Sequence, residues 1–212
     1  MFSLPDSSGF EKGYLMPESP KLKIFVASTV YGFQDQLDQI CAVLTGFGYA
    51  VYNSHLGTVA VDPARSNRGD CLAAVASCDL FLGIIRPSYG SGVVGERSIT
   101  HEECLEAMRL RKPRWFLVHH DVTIARTLLR PYLHPPEGEA LAAPFIFKKT
   151  AVLDDIRIID LYEDTLQTGV PVEERMGHWV QEFYRLPELL RFLDSQFKDT
   201  NRIRTICKDM SR

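Results

Sequence analysis

DLFLGIIRP, residues 79–87, is a run of apolar residues opened by an acid and stopped by a proline. Its length is that of a strand. Its lack of polar alternation is what a strand covered on both faces requires. Pro87 ends it, because proline has no N–H for a ladder and pushes the preceding residue out of helical geometry. A strand covered on both faces needs helices on both sides, so this run sets the fold class for the chain.

Upstream, KLKIFVAS (21–28) has the same character and stops at Ser28 and Thr29, which suit a turn. FQDQLDQICAVLTGFGY (33–49) repeats Phe33, Leu37, Ile40, Cys41, Leu44 and Phe47 at helical spacing, with Gly48 as the expected C-cap. AVYN (50–53) reads as a strand and SHLGTVAVDPARS (54–66) as a loop. NRGDCLAAVASC (67–78) reads as a helix turning Cys71, Leu72 and Val75 inward. Downstream come a glycine-bearing loop, SYGSGVVGER (88–97), a helix opened by SITHEECLEA (98–107), and a buried strand within RKPRWFLVHH (111–120). Alternating strands and helices predict an α/β domain over 21–135 with a parallel sheet and helices on both faces.

The flanks are less regular. Residues 1–20, rich in Ser, Gly and Pro, read as a flexible arm. DVTIARTLLRPYL (121–133) predicts a helix, HPPEGEALAAP (134–144) a loop, and FIFKKTAVLDDIRIIDLY (145–162) an extended segment followed by a strand. RMGHWVQEFYRLPELLRFLDSQF (175–197) reads as one amphipathic helix with Trp179, Phe183, Leu186, Leu190 and Leu193 on one side. Residues 136–212 are thus expected to form a C-terminal helical extension that packs on the domain or mediates assembly. The basic stretch RIRTICK (202–208) reads as a solvated tail.

With 45% apolar residues the chain can bury a core, and a formal charge of −3 gives no global electrostatic reason to expect nucleic acid. The five cysteines (41, 71, 78, 104 and 207) have neither CxxC nor zinc-ligand spacing, so they read as buried free thiols in a reducing compartment. No apolar run reaches membrane-spanning length and no signal-peptide core opens the chain, which predicts a soluble, cytoplasmic protein.

In parallel sheets ligands bind beyond the carboxyl ends of the strands. Ser28, Thr29 and Tyr31 lie at such an end, ahead of a helix N-terminus suited to phosphate or carboxylate; as caps they would be purely structural. GxGxxG and GxxxxGK[ST] are absent, which argues against a dinucleotide dehydrogenase and a P-loop NTPase. Arg86, Tyr89 and Ser91 belong to a second loop at this edge, where a cation, an aromatic face and backbone N–H groups can hold a base or ribose. His119 and His120 end the next strand, but no HxxxH, HExxH or GxSxG pattern points to a metal site or a serine hydrolase. Helical phase separates the two adjacent acids. Glu102 shares a face with Glu106 and Arg109, and Glu103 shares one with Ile99, Ala107 and Leu110. Glu103 therefore reads either as an acid tuned by burial or as the far member of a capping box with Thr100.

KIFVASTVYGF, CLAAVASCDLFLGIIRPSYGSG and SITHEECLEA, in this order over residues 21–120, resemble a family of TIR-like domains of uncharacterised function. That family is similar to TIR domains and to nucleoside 2-deoxyribosyltransferases. The resemblance implies a flavodoxin-like fold, with Glu103 as the acid of an SxTxxE motif that begins at Ser98. Cys104 stands where the family usually has tyrosine, and Gly32 near where it often has an acid. The resemblance further implies cleavage of NAD or a related nucleotide at its N-glycosidic bond, in bacterial anti-phage defence or signalling. NAD would be a substrate, with no cofactor and no metal. Ser28, Thr29, Tyr31, Arg86, Tyr89, Ser91 and Ser98 would hold the nucleotide, and the partners would be further copies of the chain or a separate activating protein. A non-catalytic assembly module and a 2-deoxyribosyltransferase acting on a small nucleoside are the alternatives.

Overall fold

A computed structural model describes residues 20–90, 96–133, 145–175 and 178–210. The expected arm before Pro20, the loop HPPEGEALAAP and Ser91 lie outside the described residues. The elements are β1 (Lys23–Ser28), α1 (Gln34–Gly46), β2 (Ala50–Tyr52), α2 (Asn67–Ser77), β3 (Leu80–Ile85), α3 (Ile99–Arg109), β4 (Arg114–His119), α4 (His120–Leu133), α5 (Arg157–Leu166), β5 (His178–Phe183), α6 (Leu186–Phe197) and α7 (Thr200–Met210). The five strands form one parallel sheet in the order β2-β1-β3-β4-β5. This is an α/β fold with helices on both faces.

Strand periodicity divides the core in two. Ile24, Val26, Leu80, Leu82, Ile84, Trp115 and Leu117 point to one face, where they pack with α1 and α6 and with Ile203 of α7. Phe25, Ala27, Phe81, Ile85, Phe116 and Val118 point to the other, where Cys104 and Ala107 of α3 and Ile158, Ile159 and Leu161 of α5 meet them. Phe25, Phe81 and Phe116 form an aromatic row across three strands, with ring centroids 5.9 and 6.0 Å apart. Gly83 makes room for that row, since a Cβ there would lie 2.7 Å from the Phe116 ring.

The central elements lie where the sequence predicts them. Gly48, at φ +97°, follows the C-cap Phe47, and its N–H reaches the Thr45 carbonyl. On α2, Cys71 and Val75 are buried, Leu72 is half-buried, and Asp70 is buried with them.

Three expectations fail on the C-terminal side. Residues 178–183 are the edge strand β5, and the helix begins only at Leu186. Pro187 sits in its first turn, where proline costs no hydrogen bond, and Glu188 accepts from the Tyr184 N–H at 2.8 Å. The apparent single stripe was two elements in accidental phase: Phe183, Leu189 and Leu193 are buried, whereas Trp179 is 54% exposed. Residues 157–166 form helix α5 rather than a strand, burying Ile158, Ile159, Leu161 and Thr165 on one side. Asp155 accepts from the Arg157 N–H at 2.9 Å where that helix starts. RIRTICK is no tail but part of α7, anchored by buried Ile203.

Candidate active site

Strand order reverses between β1 and β3, and the two chains leaving those strands part there to form a crevice. A cavity of about 590 Å³ occupies it. Ser28, Thr29 and Tyr31 line it from the β1 side, Ser88 and Gly90 from the β3 side, Asp70 and Cys71 from α2, and Thr100 and Glu103 from α3. Gly90 has φ +92°, and a Cβ on it would come within 3.0 Å of Thr29 Oγ1. Only glycine lets the β3 loop lie this close over Thr29.

The remaining wall, the loop after β2, hangs on Asn53. Its buried Nδ2 donates to the Val26 carbonyl at 2.8 Å, and its Oδ1 accepts from the His55 N–H at 2.9 Å. Asp70 Oδ2 accepts from the Asp62 N–H at 3.1 Å and ties the same loop to α2. Sequence reasoning missed Asn53, Asp70 and Asp154. An asparagine just after a strand is the signature of a side-chain-stabilised turn and was available as a signal for the first. Asp70 shares a helical face with Ala74, a weaker signal. Asp154, which also lines the cavity, accepts from Ser88 Oγ at 2.6 Å and the Tyr89 N–H at 2.9 Å; it comes from a distant segment and has no local signature.

Glu103 is 3% exposed and faces this cavity. It is not the far member of a capping box. Ser98 is the N-cap: its backbone is extended, and its Oγ accepts from the His101 N–H at 3.2 Å. Thr100 therefore lies inside the helix, and Glu103 falls two residues past the capping-box position, which His101 occupies. Burial pushes the Glu103 carboxyl up to about 8, opposed only by a hydrogen bond with the Cys71 thiol. The thiol, itself pushed up to about 12 by burial and by the neighbouring carboxyl, stays protonated and donates. None of the described residues lining the cavity is a lysine, arginine or histidine. Glu102 lines a separate cavity instead, where Arg68 Nη2 donates to it at 2.7 Å.

The other candidate residues divide. Ser28, Thr29, Tyr31 and Glu103 converge on the one cavity. Tyr31 is 83% exposed at its mouth. Arg86 lines an adjoining cavity of about 620 Å³, together with Tyr31, Ser88 and Asp154. Tyr89 and Ser98 are buried and do not line the Glu103 cavity: Ser98 N donates to Tyr89 Oη at 3.3 Å, and Tyr89 Oη lies 2.8 Å from His101 Nδ1. Among the described residues no three His, Cys, Asp or Glu side chains cluster as metal ligands, and no helix is long and apolar enough to cross a membrane.

No curated protein matches the chain. Among solved structures, the CMP N-glycosidase BcmB of Clostridium botulinum is similar at 17% identity and a TM-score of 0.43, over 82% of this chain and 98% of that one. The family model described as "Domain of unknown function (DUF4062)" matches residues 23–168, from β1 through α5, and so takes in every wall of the Glu103 cavity. This chain belongs to the DUF4062 family.

Proposed function

We propose that this chain is an enzyme that cleaves the N-glycosidic bond of a nucleotide or nucleoside, with Glu103 as the group that meets the ribosyl carbon. One observation carries the reading: a buried carboxyl with no cation beside it forms the wall of a cavity at the switch point of the sheet. Placing an acid there costs desolvation energy that an ordinary structural residue would avoid, and perturbed acids of this kind mark reactive sites.

The chemistry follows from the charge. In the empty cavity Glu103 is mostly protonated at neutral pH, because burial holds it near 8. A cationic base on a ribose, as in a nicotinamide nucleotide, favours the carboxylate on entering, and the proton passes to solvent. As the C1′–N bond breaks, its electron pair leaves with the base and positive charge grows on C1′. A Glu103 oxygen stabilises that charge or bonds to C1′. Water then adds at C1′, freeing the carboxylate and losing its proton to solvent. Three acids and no base line the described cavity, a setting that suits a neutral or cationic ribosyl group. The motif resemblance adds NAD as the first substrate to try and bacterial defence or signalling as the setting, with assembled copies or a separate partner as activator. A nucleoside 2-deoxyribosyl transfer would use the same carboxylate with a second base in place of water.

The test is turnover of NAD by the full chain at high concentration. The free-enzyme kcat/KM should rise with pH, reach half its limit near pH 8 and level off above that, since the carboxylate is the active form. Glu103→Gln should lower kcat by about 10²-fold or more. A Glu103→Gln variant that turns over at the parental rate ends the proposal.

A further inference from the structure

The second cavity, of about 620 Å³, lies beyond β3, β4 and β5 and shares with the first the wall made by Tyr31, Ser88 and Asp154. Charge is distributed unequally across that wall. The Glu103 side adds Asp70 and Glu103 to the shared Asp154 and holds no described cation. Arg86 and Lys149 lie on the other side, together with Asp121.

The acid on the shared wall is already engaged. Asp154 accepts from Ser88 Oγ at 2.6 Å and from the Tyr89 N–H at 2.9 Å. Arg86 is different. Its Nη1 donates to the carbonyls of Thr29 at 3.0 Å and Tyr31 at 3.2 Å, and its guanidinium lies 4.2 Å from the centre of the Phe33 ring. Asp154 acts on Arg86 through its charge, but among the described residues no carboxylate lies within ion-pair distance of Arg86 or Lys149. A guanidinium held in place by carbonyls and an aromatic face, and partly stripped of water, is a preset anion partner. α1 also begins at this wall, at Phe33, with no side chain capping its free N–H groups.

We infer that this second cavity is a phosphate subsite, in which Arg86 and Lys149 hold the phosphate or diphosphate of the substrate whose ribosyl carbon meets Glu103. The inference rests on the reading of the Glu103 cavity and narrows it. The substrate is a nucleotide rather than a nucleoside, with its anionic portion past Tyr31 and its base and ribose beside Glu103. A phosphate in the first cavity would meet no described cation, whereas in the second it meets Arg86 and Lys149.

Binding, read without turnover, tests this separately from catalysis. Inorganic pyrophosphate, NAD and adenosine are titrated calorimetrically into the full-length Glu103→Gln chain, alone and with Lys149→Glu or Lys149→Arg added. Pyrophosphate should bind, more weakly as salt rises, and compete with NAD. Lys149→Glu should weaken pyrophosphate and NAD about tenfold and leave adenosine unchanged, and Lys149→Arg should restore both. Equal loss for all three ligands, no loss with Lys149→Glu, or simultaneous binding of pyrophosphate and NAD would each overturn the inference. Undiminished NAD cleavage by Glu103→Gln would end the proposed reaction and leave the binding result to stand or fall alone.

Discussion

Glu103 carries a carboxyl to a place that solvent barely reaches, and its cost should be visible in stability. Its folded value of about 8 lies above the ordinary 4.5, so between those limits the folded chain holds a proton that the unfolded chain has lost. Linkage then requires stability to fall as pH rises through that window, by at most about 1.4 kcal/mol per unit for this group. Glu103→Gln removes the charge and keeps the shape. The variant should melt close to the parent at pH 5 and clearly above it at pH 8.5. Melting curves recorded across this range check the sign, and a constant offset at every pH would show that Glu103 is not the group responsible. Helical phase singled out Glu103 in the sequence because phase is local. The thiol of Cys71 that donates to it lies on another helix, so no spacing rule could pair them.

At the scale of elements, α3 is held at its N-terminus by a relay. Ser98 N donates to Tyr89 Oη, Tyr89 donates to His101 Nδ1, and His101 Nε2 donates to Asp164 of α5 at 2.8 Å. This order assigns the neutral Nε2–H form to His101, which is 2% exposed and whose proton affinity burial lowers. Because its folded value lies below the ordinary 6.5, His101 contributes stability above that pH and loses it as the pH falls. Tyr89→Phe breaks the relay at its middle and leaves the ring in place. It should cost about 1–2 kcal/mol in urea unfolding at pH 7, and a loss under about 0.3 kcal/mol would mean that water replaces the phenol without penalty. The relay ties Tyr89 to the start of the helix that carries Glu103, so the same variant should lower kcat of any NAD turnover more than it raises KM.

At the scale of the whole molecule, the C-terminal third completes the sheet. β5 pairs with β4 from His178 to Phe183, and α6 and α7 cover the face that α1 leaves open. Phe197 joins these parts: its ring meets Trp115 edge-on at 4.9 Å, and its carbonyl accepts from Tyr49 Oη at 2.8 Å. Phe197→Ala should cost about 3–5 kcal/mol. Unfolding should remain a single transition, with tryptophan fluorescence and far-UV circular dichroism changing together. Separate transitions would show that residues 178–210 fold as an independent unit.

The sequence by itself determined the α/β class, the four strands β1 to β4, the helices between them and the acid to watch. Each of these is written in the period and punctuation of a short window: DLFLGIIRP for a buried strand, Gly48 for a helix end, the Ile99–Glu103–Ala107 stripe for a face. Only the tertiary structure decided that HWVQEF is an edge strand, that Thr100 is no cap, and that Asn53, Asp70 and Asp154 shape the cavity. It also divided Arg86 from Glu103 between two cavities. β5 buries only Phe183 fully, so its apolar residues could be joined to the next helix in one stripe, and a cavity wall is assembled from segments that meet only after the sheet has formed.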